Sequence, residues 1–244
     1  MVESLSIYCL NYNNEPNRRE KMTNIFNSLN LNCNFYEGVS FADERLSHDI
    51  CEHTKKVWSC MFGHIDMIEQ FINSNKEFGI FCEDDIYISK NLPYLLPYIC
   101  KKFVELELDV LLLGYLLQHK ITKGTTEYDE TYIDYDNITG LSYHMVGYNV
   151  WGTQMYMLSR KQALHIHNTY NLDYAIKTIS DKSVTPFSAD WTITKDGKRA
   201  IIVPIVAIED NKTTYDHEGQ RIYHESCFNA HFESDIFLPL QTDS

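Results

Sequence analysis

The sequence predicts an α/β sandwich with a mostly parallel central sheet flanked by helices, and three observations support that class. Short β-rich apolar runs alternate with amphipathic helical patterns along the chain. Several of the runs are apolar throughout, the pattern of strands covered on both faces. No internal repeat, low-complexity tract or Pro/Gly/Ser linker divides the 244 residues, a length one compact domain can hold. The expected organisation is therefore a single domain over 1–244.

LSIYCLN (5–11) reads as the opening strand, and Pro16 suits the first turn of a helix running to about Leu29. FYEGVS (35–40) is a second short strand. From about Thr54 to Ile72, Val57, Met61, His64, Ile68 and Phe71 recur at steps of three and four, which places them on one helix face. GIFCEDDIYI (79–88) reads as one buried strand that runs abruptly into acid, and Asn91 and Pro93 open a helix to about Leu108. DVLLLGY (109–115) is a near-continuous apolar strand. Residues 120–140 turn polar and Tyr-rich, a long excursion or irregular hairpin. NVWGTQMYMLS (149–159) returns to strand character, with Ser159 placed to cap the helix from Arg160. RAIIVPIVAI (199–208) carries Pro204, which argues for an edge or bent strand. The polar stretch 210–244 is expected to close over the site.

Composition excludes several functions. A net charge of −13 disfavours phosphate-backbone contact, so nucleic acid is not an expected partner. No run is apolar and long enough to span a bilayer, and MVESLSIYCLN lacks the features of a signal peptide. The expected location is the cytoplasm. Seven cysteines without a close CxxC pair read as reduced core thiols. An acidic chain that binds a diphosphate needs a local cation.

In parallel sheets, ligands collect beyond the carboxyl ends of the strands. Glu83-Asp84-Asp85 stands at such an end. Adjacent carboxylates raise one another's cost of ionisation, and a divalent cation offsets it. Two residues apart on an extended strand, Glu83 and Asp85 face the same side and suit Mg²⁺ or Mn²⁺, with positions left for phosphate oxygens.

Four segments, in order, carry a resemblance: IYCLNYNNEPNRREKM, WSCMFGHIDMIEQF, GIFCEDDIYIS and WGTQMYMLSRKQA. Together they resemble glycosyltransferase family 25, the group of lipooligosaccharide and collagen galactosyltransferases. An Asn-, Ile-, Tyr- and Lys-heavy composition points to an AT-rich genome, and the chain is similar to members from large DNA viruses, which would place it in host cytoplasm or virion. One departure is Gly63, where the family has serine before the histidine, here His64. The resemblance implies a GT-A-like nucleotide-diphospho-sugar transferase fold, Mn²⁺ (or Mg²⁺), and a UDP-sugar co-substrate. It also implies transfer of a hexose (galactose, glucose or N-acetylglucosamine), with inversion, to a glycan or hydroxylysine-type hydroxyl.

Carried onto this chain, the resemblance makes Asp85 the likelier metal ligand of its pair with Glu83, with Asp84 or Glu83 reaching the ribose. Asn11 and Arg19, just past the first strand, are candidates for the donor pocket, where Arg18 or Arg19 could meet a diphosphate. His64 is expected near that pocket. Asp190 in PFSADW is the candidate base, with Trp191 beside it as a sugar-stacking platform. A third metal ligand is sought among the tail histidines, in His217 or His231. The Tyr128–Tyr143 region is a candidate acceptor groove. Two other functions compete: an inactive sugar-nucleotide- or glycan-binding scaffold of the same fold, and a nucleotidyltransferase. The glycine-free NYNNEPNRR loop disfavours the second.

Overall fold

The computed structural model of the protein describes residues 4–12, 15–121, 131–145, 147, 150–212 and 217–238. Its strands are β1 (Leu5–Asn11), β2 (Asn34–Glu37), β3 (Phe78–Cys82), β4 (Ile86–Ile88), β5 (Val110–Leu116), β6 (Thr131–Tyr135), β7 (Ser142–Met145), β8 (Trp151–Ser159), β9 (Arg199–Val203) and β10 (Ala207–Glu209). The helices are α1 (Pro16–Ser28), α2 (Glu52–Ile72), α3 (Leu92–Glu105), α4 (Arg160–Thr169), α5 (Leu172–Ser180), α6 (Ala189–Thr192) and α7 (Glu218–His231). The α/β class holds.

The main sheet runs β2-β1-β3-β8-β5-β9-β7-β6, with β10 joining β5 to β4. β1 pairs in parallel with β2 and β3, and β5 with β9. β8 enters antiparallel between β3 and β5. The continuously apolar runs are the buried centre: every residue of β3 is buried, as is all of β5 up to Tyr115. α2 lays Met61, Ile65, Ile68 and Phe71 into this core, as its periodicity requires. Gly63 fits the same packing. A Cβ there would meet the Leu10 side chain at 3.0 Å, so Leu10 occupies the room a serine would need.

Two strand readings are corrected. Residues 79–88 form two strands, because the chain bends at Glu83-Asp84-Asp85 between β3 and β4. Three adjacent carboxylates do not continue a buried ladder, so the same-face relation expected for Glu83 and Asp85 on one strand does not apply. β9 lies between β5 and β7, not at an edge, and Pro204 marks the break before β10. Proline lacks a ladder donor, and here a bend accommodates it.

Ser159 caps α4, its Oγ accepting from Gln162 N at 3.1 Å. The next residue secures a different helix. Arg160 donates to the carbonyls of Ile72 (2.7 Å), Lys76 (2.8 Å) and Ser74 at the C-terminal end of α2, and lies over the Phe71 ring. Cationic donors at helix C-terminal carbonyls are stabilising. Arg160→Met is expected to cost about 2 kcal/mol, the scale of hydrogen bonds from a charged group. Chemical denaturation checks this; a loss below ~0.5 kcal/mol, the range of ordinary surface changes, would mean the cap contributes little.

Candidate active site

The antiparallel entry of β8 builds the site. Because β8 runs against β3 and β5, its first residues emerge beside the ends of both, with Met155 opposite Cys82 and Trp151 opposite Leu116. Trp151, Gly152 and Thr153 thereby meet the acidic bend. β10 pairs antiparallel with β4, Glu209 opposite Ile86, and Asp210 N donates to the Asp85 carbonyl at 2.8 Å. Glu209 thus arrives next to Asp85. The result is an open cleft of about 970 Å³ lined by, among others, Arg18, Glu83, Asp85, Asp190, Glu209 and His224.

The three acids of the bend have different partners. Glu83 accepts from Thr153 Oγ1 at 2.6 Å and lies 3.3 Å from His64 Nε2. Burial pushes its carboxyl up, but the contacts with His64 and Thr153 and the charge of Arg18 hold it below its ordinary value. Asp84 turns behind the cleft wall, where Asn11 Nδ2 (2.7 Å), Tyr12 N (3.3 Å) and Arg18 Nη1 (3.2 Å) donate to it. Burial still outweighs these donors and raises it. Asp85 faces the cleft and accepts from Arg18 Nη1 at 3.3 Å. Burial, then the charges of Glu83 and Glu209, push it well above the carboxylate range.

This state of Asp85 tests the fit of a divalent cation. Asp85 and Glu209 are hard oxygen donors beside one another, and an oxygen-preferring cation such as Mn²⁺ or Mg²⁺ would offset the negative charge that lifts Asp85. Their chemistry fits such an ion.

Asp190 is half-buried at the cleft wall, and desolvation there, then the charge of Glu83, raise its carboxyl. Its Oδ1 accepts from Gly152 N at 2.8 Å. That anchor requires glycine: φ is +122°, and a Cβ would lie 1.8 Å from Gln154 Oε1. Lys195 secures the surroundings, its Nζ 3.0 Å from the Trp151 ring centroid and 3.9 Å from that of Trp191. Burial pushes this lysine down to about 8. The two indoles meet edge to face and flank Asp190 and its Gly152 donor.

The structure brings Glu83, Asp85 and Asp190 to one cleft and places Asn11, His64 and Asp84 directly behind it. It moves others away. Arg19 points outward and stacks on Phe35, and Arg18 is the arginine at the acids. His217 serves as N-cap of α7, its Nδ1 accepting from Gln220 N at 3.1 Å. His231 is buried, its Nε2 donating to the Leu117 carbonyl at 2.9 Å. The tail histidine that lines the cleft is His224, whose Nδ1 lies 2.7 Å from Glu209 Oε2. Tyr143 is buried in β7, and the β6–β7 hairpin stands at the far edge of the sheet, so neither is part of the cleft; Tyr128 lies outside the described residues. Trp151, Trp191 and Tyr12 are aromatic side chains that line the cleft. The seven cysteines are free, but Cys51 and Cys60 are not core residues.

The sequence does not single out Thr153 or Glu209, and among the tail histidines it points to His217 or His231 and not to His224. Glu209 carried a usable signal, since it ends an apolar strand in acid as Glu83 does. No helix among the described residues is long and apolar enough to cross a membrane.

No curated protein shows a significant sequence match to the chain. Among solved structures, it is similar to a glycosyltransferase involved in glycosylation of the major capsid of PBCV-1, at 12% identity over 75% of this chain and 70% of that one, TM-score 0.40. It is also similar to S. aureus TarS 1–349, at 12% identity over 93% and 71%, TM-score 0.41. Both are distant. The model of glycosyltransferase family 25 (LPS biosynthesis protein) matches residues 4–180, a span that includes the acidic bend and the Gly152-Thr153 strand. The chain belongs to glycosyltransferase family 25.

Proposed function

We propose that this glycosyltransferase moves a hexose from a UDP-sugar to an acceptor hydroxyl, with inversion, in a metal-dependent reaction. The observation that carries the reading is the convergence of Asp85, Glu209, Arg18 and Asp190 on one cleft of about 970 Å³, at the upper end of the size of small-ligand sites. Galactose, glucose and N-acetylglucosamine are the candidate hexoses, and a glycan or hydroxylysine-type hydroxyl the acceptor.

Asp85 and Glu209 would hold Mn²⁺ or Mg²⁺, which when bound supplies positive charge at the diphosphate. Arg18 now bonds to both Asp84 and Asp85 and is the residue to meet phosphate oxygens. Asn11 fixes Asp84, and through it the bend. Asp190 takes the proton of the acceptor hydroxyl as the new C–O bond forms at the anomeric carbon and UDP departs with the electrons of the broken bond. Gly152 N–H orients the Asp190 carboxylate for that transfer.

The test is release of UDP from a panel of UDP-sugars with Mn²⁺ and with EDTA. Release from one sugar, lost in EDTA, is the expected result. Metal-dependent UDP binding without release from any sugar would favour the inactive scaffold. The absence of both UDP binding and UDP release would overturn the reading.

A further inference from the structure

A second set of metal ligands, of different chemistry, faces the inner wall of the cleft. Cys60 and His64 stand one turn apart on α2, so they project to the same side. Glu83 reaches them from the end of β3. The ligand atoms of Cys60, His64 and Glu83 lie within 4.8 Å of one another, and no other group of three or more His, Cys, Asp and Glu side chains does so among the described residues.

The geometry around His64 resembles that of a ligating histidine. Its Nε2 lies 3.3 Å from Glu83 Oε1, long for a hydrogen bond to a carboxylate. Two ligands at zinc distances of about 2.0–2.1 Å subtend a tetrahedral edge of about 3.3 Å. The Tyr156 hydroxyl, 2.9 Å from Nδ1, sets the ring so that Nε2 faces Glu83. Thr153 holds Glu83 Oε1 from the other side at 2.6 Å. Such outer hydrogen bonds orient metal ligands and fix the histidine tautomer. Cys60 and Glu83 both line the cleft, which provides entry and room for a water as fourth ligand. Asp190 and Asp85 interact electrostatically with Cys60 and add negative charge nearby.

We infer that Cys60, His64 and Glu83 form a binding site for a thiophilic divalent cation such as Zn²⁺, separate from the oxygen donors Asp85 and Glu209, and that occupation of this site inhibits transfer. On binding, the Cys60 S–H gives its proton to solvent and the thiolate, Nε2 and carboxylate bond the ion. Inhibition follows because the ion sits beside Asp190 and Asp85, cancelling part of the field each works in. The inhibitory half rests on the glycosyltransferase reading; the binding half does not.

Co²⁺ is the probe for binding. Titrated into metal-free protein, one equivalent is expected to give the near-ultraviolet thiolate-to-cobalt absorption band, and Zn²⁺ is expected to displace it. Cys60→Ser should lose the band, and Cys51→Ser, which alters another exposed thiol, should keep it. His64→Gln should weaken Co²⁺ binding at least ~10-fold, the minimum usually seen when a metal's supporting shell is disturbed. No band in the wild type, or a band that survives Cys60→Ser, overturns the site. The second arm measures UDP release at saturating Mn²⁺: Zn²⁺ is expected to inhibit the wild type and spare Cys60→Ser. A bound ion without inhibition overturns the regulatory half alone. If the protein shows no turnover on any sugar, the cobalt titration still decides the site.

Discussion

Asp85→Asn is expected to reduce metal-dependent UDP release by at least ~10³-fold, since about 4 kcal/mol of transition-state stabilisation corresponds to three orders of magnitude. The same substitution is expected to raise the apo protein's melting temperature. Burial and the charges of Glu83 and Glu209 lift the Asp85 carboxyl well above its ordinary value. A carboxyl raised in the folded state favours folding below its unfolded pKa, and that advantage is lost as pH rises through the folded value. At neutral pH its ionised form therefore opposes folding, and the isosteric amide removes the opposition while still accepting from Arg18. Activity and stability should move in opposite directions, as at a site whose strain serves function. Kinetics and thermal melts on one pair of proteins check both. A variant that keeps its rate, or loses rate and melting temperature together, would make Asp85 a structural residue.

Asp190→Asn should lower kcat about 10²–10⁴-fold, the contribution of a positioned general base. UDP affinity should change little, because the asparagine carbonyl can still accept from Gly152 N–H. The pH profile offers a second reading. Burial and the nearby Glu83 raise Asp190, so its ionised form becomes scarce at a higher pH than for an exposed aspartate. The acidic limb of kcat/KM should accordingly lie at higher pH than an ordinary aspartate would give, and it should vanish in the variant. If transfer is lost with UDP binding lost alongside, Asp190 shapes the donor pocket rather than accepting the proton.

Much of the fold was legible because its elements report their own burial. β3 and β5 are apolar throughout and lie at the sheet's centre, and α2 shows its core face at steps of three and four. Side-chain period is a local property of helix and strand, so it survives in the sequence. Errors came where orientation depends on a helix's phase or an exact boundary. Arg18 and Arg19 are neighbours, but a helix turns about 100° per residue, so only one can face the acids. His217 and His224, seven residues apart, would share a face within one helix. His217 instead has extended backbone at the N-cap, φ −155°, and leaves that face.

By itself the sequence determined the α/β class, the acidic triplet after an apolar strand, the helix carrying His64, and the family to which the chain belongs. Those rest on local pattern and on short ordered motifs. Only the tertiary structure decided that β8 enters antiparallel, that Glu209 stands beside Asp85, that Arg18 rather than Arg19 meets the acids, and that Cys60 joins His64 and Glu83. Each depends on strand register or helix rotation. A one-residue shift in either redirects a side chain, and contacts between distant segments, not the residues themselves, choose among the settings.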